Sequence, residues 1–174
     1  EARRLLARAL GQDTILFDGE FYYFNKNLDY DYDVETFKSA LENARACQAI
    51  DEKINFYQEA VNVVHGLFLE DLGAVWVVTE REHINQEYFS ALLSLSKFYM
   101  SRGQEQKALQ ACQRMLDRDS CNEEAHRLIM QIYSRMGDRP AVVRQYQACR
   151  STLKTVLGIP PSHQTEELFH QLTQ

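Results

Sequence analysis

Five histidines, four cysteines and an alternating aspartate run are the residues of this 174-residue chain whose types could hold a metal or move a proton. Their spacing argues against both. His65, His83, His126, His163 and His170 form no His-x-x-x-His or His-Glu-x-x-His pattern, so no helix turn offers two imidazoles to one zinc ion. Cys47, Cys112, Cys121 and Cys149 include no Cys-x-x-Cys pair and read as reduced thiols of a cytoplasmic protein. Asp29, Asp31 and Asp33 begin as a calcium loop begins. Val34, however, stands where that loop needs Gly, and Ala40 where it needs a bidentate Glu. Asp33 reads instead as the cap of a helix starting at Val34. Gly-rich phosphate cradles and a Gly-x-Ser-x-Gly elbow are both missing. Glu80, Glu82 and Glu87 read as solvated helix faces. The expectation is a protein that is not an enzyme and holds no metal or cofactor.

Charge narrows the partners. The net charge is −6. Residues 1–10 carry three Arg against one Glu, and residues 11–90 carry five bases against sixteen acids. Residues 91–174 carry eleven bases against eight acids. An acidic chain repels nucleic acid in bulk, so only the N-terminal Arg3, Arg4 and Arg8 are candidates for touching DNA. Arg127, Arg135, Arg139, Arg144, Arg150 and Lys154 read either as a solvated face or as a groove for an acidic partner. No apolar run approaches the roughly 18–20 residues that span a membrane. The opening Glu1-Ala2-Arg3-Arg4 lies inside a helical pattern, which suggests a fragment of a longer protein.

The elements that would position these residues are mostly helical. Residues 1–10 read as a helix tail ended by Gly11. Thr14–Phe17 and Glu20–Asn25 flank Asp18-Gly19, the signature of a hairpin with a two-residue type I′ turn. From Val34 onward the apolar spacing is helical. Phe37, Ala40, Leu41 and Ala44 form one stripe, and Ile54, Tyr57, Ala60, Val61 and Val64 the next. An irregular stretch from Gly66 to Thr79 contains the only Trp, Trp76, expected to fill a gap beneath the connection. A long helix should then run from Thr79 or Glu80 to Arg102.

A repeat organises the second half. Tyr99 and Tyr133 lie 34 residues apart, as do Gly103 and Gly137. That is the period of a tetratricopeptide helix pair, with each Gly ending the first helix. Leu92, Leu95, Ala108 and Cys112 align with His126, Ile129, Val142 and Tyr146. The fold class is therefore mainly α, a tetratricopeptide-like repeat of antiparallel helix pairs with one N-terminal β-hairpin. In such a stack the first helices of the pairs line a concave face. Lys97, Arg127 and Arg135 are its candidate partner-groove residues.

Several motifs resemble one family. Glu123 to Met130, Gly137-Asp138-Arg139, Tyr146 to Leu153 and Leu157-Gly158-Ile159-Pro160-Pro161-Ser162 are similar to the bacterial transcriptional activator domain of Streptomyces antibiotic regulatory protein-type transcription factors. Tyr32 to Phe37 and Gly66 to Leu72 with Trp76 resemble its upstream segments. The resemblance covers residues 28–174 and implies a regulatory domain of a bacterial transcription factor. In that family the domain follows a winged helix. Residues 1–27 then resemble its C-terminal remnant, with Leu5 to Gly11 as the end of the recognition helix and the hairpin as the wing. The implied partners are a second subunit, a sensor domain of the same chain or RNA polymerase, and promoter DNA through a complete winged helix. The rival is a generic tetratricopeptide adaptor unrelated to transcription.

Overall fold

The computed structural model describes residues 13–28 and 32–174. The chain divides into two compact units, Glu1–Asp33 and Val34–Gln174. The described part of the first unit holds the hairpin, β1 (Ile15–Phe17) and β2 (Tyr22–Phe24), paired antiparallel. Its turn corrects the expectation by one residue. Phe17 pairs with Tyr22, and the Asp18 N–H donates to the Phe21 carbonyl at 3.3 Å, which places Gly19-Glu20 at the tip. The cause is the Asp18 carboxylate. It accepts the N–H groups of Glu20 at 3.0 Å and Phe21 at 2.8 Å, a local Asx-type turn. These two bonds hold its carboxyl below the usual range. The rings of Phe17 and Tyr22 meet at 4.7 Å between centroids, tilted by 30°, and Phe17, Phe21, Tyr22, Tyr23 and Phe24 are all exposed.

Seven helices follow among the described residues: α1 (Asp33–Ala46), α2 (Ile50–Asn62), α3 (Val75–Ser101), α4 (Glu105–Arg118), α5 (Glu123–Arg135), α6 (Arg139–Val156) and α7 (His163–Thr173). From α2 onward each packs on the next, and α7 also reaches back to α5. The first expected stripe, Phe37, Ala40, Leu41 and Ala44 of α1, is inside. Of the second, Ile54, Ala60 and Val61 of α2 are buried, while Tyr57 and Val64, the latter beyond the end of α2, are half-buried against the core. Burying such a side chain contributes about 1.5–3 kcal/mol. α3 starts at Val75, earlier than expected. Thr79 lies within the helix, its hydroxyl donating to the Val75 carbonyl at 3.1 Å rather than capping an amide.

The repeat is physical as well as textual. Gly103 and Gly137 take φ of +66° and +75°, a left-handed region that an L side chain enters only with strain. At each, the next residue's N–H closes the helix end onto the tyrosine carbonyl: Gln104 to Tyr99 and Asp138 to Tyr133, both at 2.9 Å. Leu92, Leu95, Ala108, Cys112, His126, Ile129 and Val142 are buried as their register requires. Tyr146 departs from it. Half-buried, it stacks on Phe169 of α7 at 4.0 Å.

Candidate partner surfaces

The Glu-x-x-His-Arg stretch at the start of α5 holds the C-terminal helices together. Glu123 Oε2 accepts the Ser162 N–H at 2.9 Å, the Ser162 hydroxyl at 2.7 Å and the Thr165 hydroxyl at 2.5 Å. Arg127 Nη1 donates to the same Thr165 oxygen at 3.0 Å, and Thr165 has no exposed surface. A carboxylate from α5 thus anchors the first turn of α7. Burial pushes the Glu123 carboxyl up, but the bonds from Thr165 and Ser162 and the Arg127 charge outweigh it and leave it below its usual range. His126, buried on the same turn, accepts from the Gln145 amide at Nδ1 over 2.7 Å. Its Nε2–H donates to the Ser120 carbonyl at 3.0 Å, the tautomer those partners require. Asn122 and Asp138 cap α5 and α6 through the N–H groups of Ala125 and Ala141. Pro140 occupies the first turn of α6, where no amide is needed.

Two arginines grip the connection from α2 to α3, and a third holds the end of α2. Arg81 donates to the carbonyls of Phe68 at 2.7 Å, Leu72 at 3.0 Å and Glu70 at 3.3 Å, and also to Leu69. Arg118 reaches the Gly66 carbonyl at 2.7 Å, and Arg114 the Val61 carbonyl. The Arg118 guanidinium lies 4.4 Å from the Tyr88 ring centre. No motif announces this grip, because it joins side chains to backbone oxygens far away in sequence. The connection displays apolar groups instead of hiding them. Leu67, Leu69, Leu72 and Val75 are exposed, and Trp76 is 63% exposed, which overturns the expectation that it fills a gap. Val77 is the residue buried there.

Of the expected groove residues, Lys97 is exposed and lies 3.8 Å from Glu124. Arg135 is exposed on the last turn of α5, whereas Arg127 is half-buried in the Thr165 contact. Arg3, Arg4 and Arg8 fall outside the described residues, as does most of the aspartate run. Among the described residues no His, Cys, Asp or Glu group has the arrangement to hold a metal ion. No described helix is long and apolar enough to cross a membrane. All four cysteines are free. Burial pushes the thiols of Cys112 to about 11 and Cys149 to about 12, so neither supplies a thiolate at neutral pH.

Helix pairs closed by left-handed glycines at a constant spacing define a tetratricopeptide-type repeat. The chain belongs to the bacterial transcriptional activator domain family, whose model matches residues 32–173, and is thus a regulatory domain of a transcription factor. Two solved structures share the fold. Mycobacterium tuberculosis EmbR, in complex with a low-affinity phosphopeptide, is 16% identical with a TM-score of 0.65, covering 98% of this chain and 46% of its own. The C-terminal TPR-containing domain of a Plasmodium falciparum FK506-binding protein is 17% identical with a TM-score of 0.56, covering 83% of this chain and 91% of its own. No curated protein matches the sequence.

Proposed function

We propose that this domain holds a DNA-binding winged helix in a fixed orientation and presents its helical repeat to a protein partner. That partner is a second subunit, a sensor domain of the same chain or RNA polymerase. The observation that carries the reading is the family match, which begins at residue 32, beyond the hairpin whose second strand ends at Phe24. In this reading residues 1–27 are the C-terminal end of the winged helix, with the hairpin as its wing and Arg3, Arg4 and Arg8 beside the DNA. The exposed aromatics of the hairpin support it, because a wing needs the rest of its domain to pack against. The family match over 32–173 favours this reading over a generic adaptor.

DNA binding by residues 1–174 and by a form extended upstream through a full winged helix tests the proposal. At about 150 mM salt the short form should bind duplex DNA weakly and without sequence preference, and the long form specifically. Specific binding by the short form, or none by the long one, would overturn it.

A further inference from the structure

Two clefts of the same build lie one repeat apart across α2, α4 and α6. The first, about 260 Å³, is walled by α2 and α4 with α3 as its floor; the second, about 190 Å³, by α4 and α6 with α5 as its floor. Gln58, Val61 and Asn62 of the first wall recur as Gln106, Leu109 and Gln110, each 48 residues on. Leu95 and Tyr99 of the floor recur as Ile129 and Tyr133, each 34 residues on. Gln110 lines both clefts and joins them, while Gln145 closes the second where Ala111 closes the first.

The carboxamides of the row keep capacity beyond the bonds they already make, Gln58 to the Tyr99 hydroxyl, Asn62 from Arg114, Gln113 to Asp117 and Gln145 to His126, since each has two N–H donors and two acceptor lone pairs. An extended chain needs both, because its N–H and C=O groups point outward unpaired. A helix has already satisfied its own. Charge selects further. No carboxylate lines either cleft, but Lys107 and Arg114 line the first. Lys107 Nζ sits 5.6 Å from the Tyr99 ring centre. Arg114 is held in place by the Tyr88 hydroxyl at 3.1 Å and the Asn62 side chain at 3.4 Å, neither of which neutralises it. Three acids of α2 and α3, Asp51, Glu80 and Glu87, are engaged locally with Arg102, Lys38 and Arg45, so these three are not the natural occupant.

We infer that these joined clefts form a docking track for an extended acidic segment of a partner protein, read through its backbone by the Gln/Asn row and through its charge by Lys107 and Arg114. The track lies on the second helices of the pairs, apart from the groove of Lys97 and Arg135. The inference rests on the partner-presenting half of the proposed function and is independent of its DNA half.

The test is fluorescence anisotropy of residues 1–174 with a labelled peptide of alternating Asp and Ser. About ten residues suffice, since such a peptide reaches about 33 Å when extended. It should bind, and the counterpart with Lys for Asp should not. Methylating alternate backbone nitrogens, or Lys107→Glu, should each weaken binding about fivefold or more. Lys154→Glu, at an exposed position outside both clefts, should leave it unchanged, and circular dichroism should show all variants folded. Gln110→Ala, which removes the shared amide without altering charge, should weaken binding as well. Absence of binding, equal loss from Lys107→Glu and Lys154→Glu, or an N-methylated peptide that binds as tightly would each overturn the track. Failure here with sequence-specific DNA binding intact in the extended form would remove the track and leave the DNA reading standing.

Discussion

At the scale of single residues, the side chains that carry the family resemblance hold the fold together. Glu123 satisfies three donors from the start of α7, one of them on the wholly buried Thr165. Glu123→Ala leaves that hydroxyl only the longer 3.3 Å contact with the Ser162 hydroxyl as an acceptor and should cost about 2 kcal/mol in a urea titration, with a smaller loss for Glu123→Gln, which keeps an acceptor. His126 adds a pH dependence. Burial depresses its pKa below the ordinary 6.5, so the unfolded chain takes up a proton that the folded one refuses. Its contribution to stability is therefore complete above the unfolded pKa and is lost as pH falls through and below it. The urea midpoint should drop between about pH 7.5 and pH 5.5, before the carboxylates titrate. His126→Gln should lower stability at both values and flatten the difference. An equal pH slope in the variant would show that another group is responsible.

At the scale of elements, the helix pairs could be read in advance because their cause is local. A left-handed Gly after a tyrosine turn leaves a trace within a few residues, and the trace recurs 34 residues on. Gly137→Ala forces an L side chain into φ +75° and should cost about 1–2 kcal/mol. Gly73→Ala meets open space with no positive φ, and should be neutral or stabilising by about 0.5 kcal/mol. Equal losses would mean that backbone strain is not what Gly137 relieves. The connection from α2 to α3 could not be read this way. It is held by Arg81 and Arg118, which reach across up to 52 residues to main-chain oxygens that every sequence possesses. For the same reason Trp76 was expected inside and stands outside: the arginines, not an indole, hold the connection. Arg81→Met keeps the aliphatic stem and removes the bonds. Amide exchange in residues 68–73 should then rise while the thermal midpoint moves little, and unchanged exchange would assign the grip to packing alone.

At the scale of the whole chain, charge partition suggested that basic C-terminal repeats meet an acidic surface, and the geometry sorts the residues that can test this. Arg127 cannot serve as a neutral probe. Its guanidinium bonds the buried Thr165, so Arg127→Glu places two carboxylates around that hydroxyl and should lower the thermal midpoint whether or not any partner exists. Lys97 and Arg135 are exposed. The Lys97–Glu124 contact at 3.8 Å joins two solvated groups, and such a pair contributes less than about 1 kcal/mol. Composition could name all three cations but could not tell a cation facing water from one that pins a helix, because that difference is made by the return of α7 onto α5. Reversing Lys97 and Arg135 together should therefore leave helix content and melting intact. If the repeat meets an acidic surface on a second subunit, the double reversal should reduce self-association in sedimentation velocity, most clearly at low salt, where exposed charges are least screened. If both association and the activity of the parent protein persist unchanged, Lys97 and Arg135 belong to a solvated face. The partner then docks elsewhere, and the amide-lined track of α2, α4 and α6 becomes the surface to mutate first.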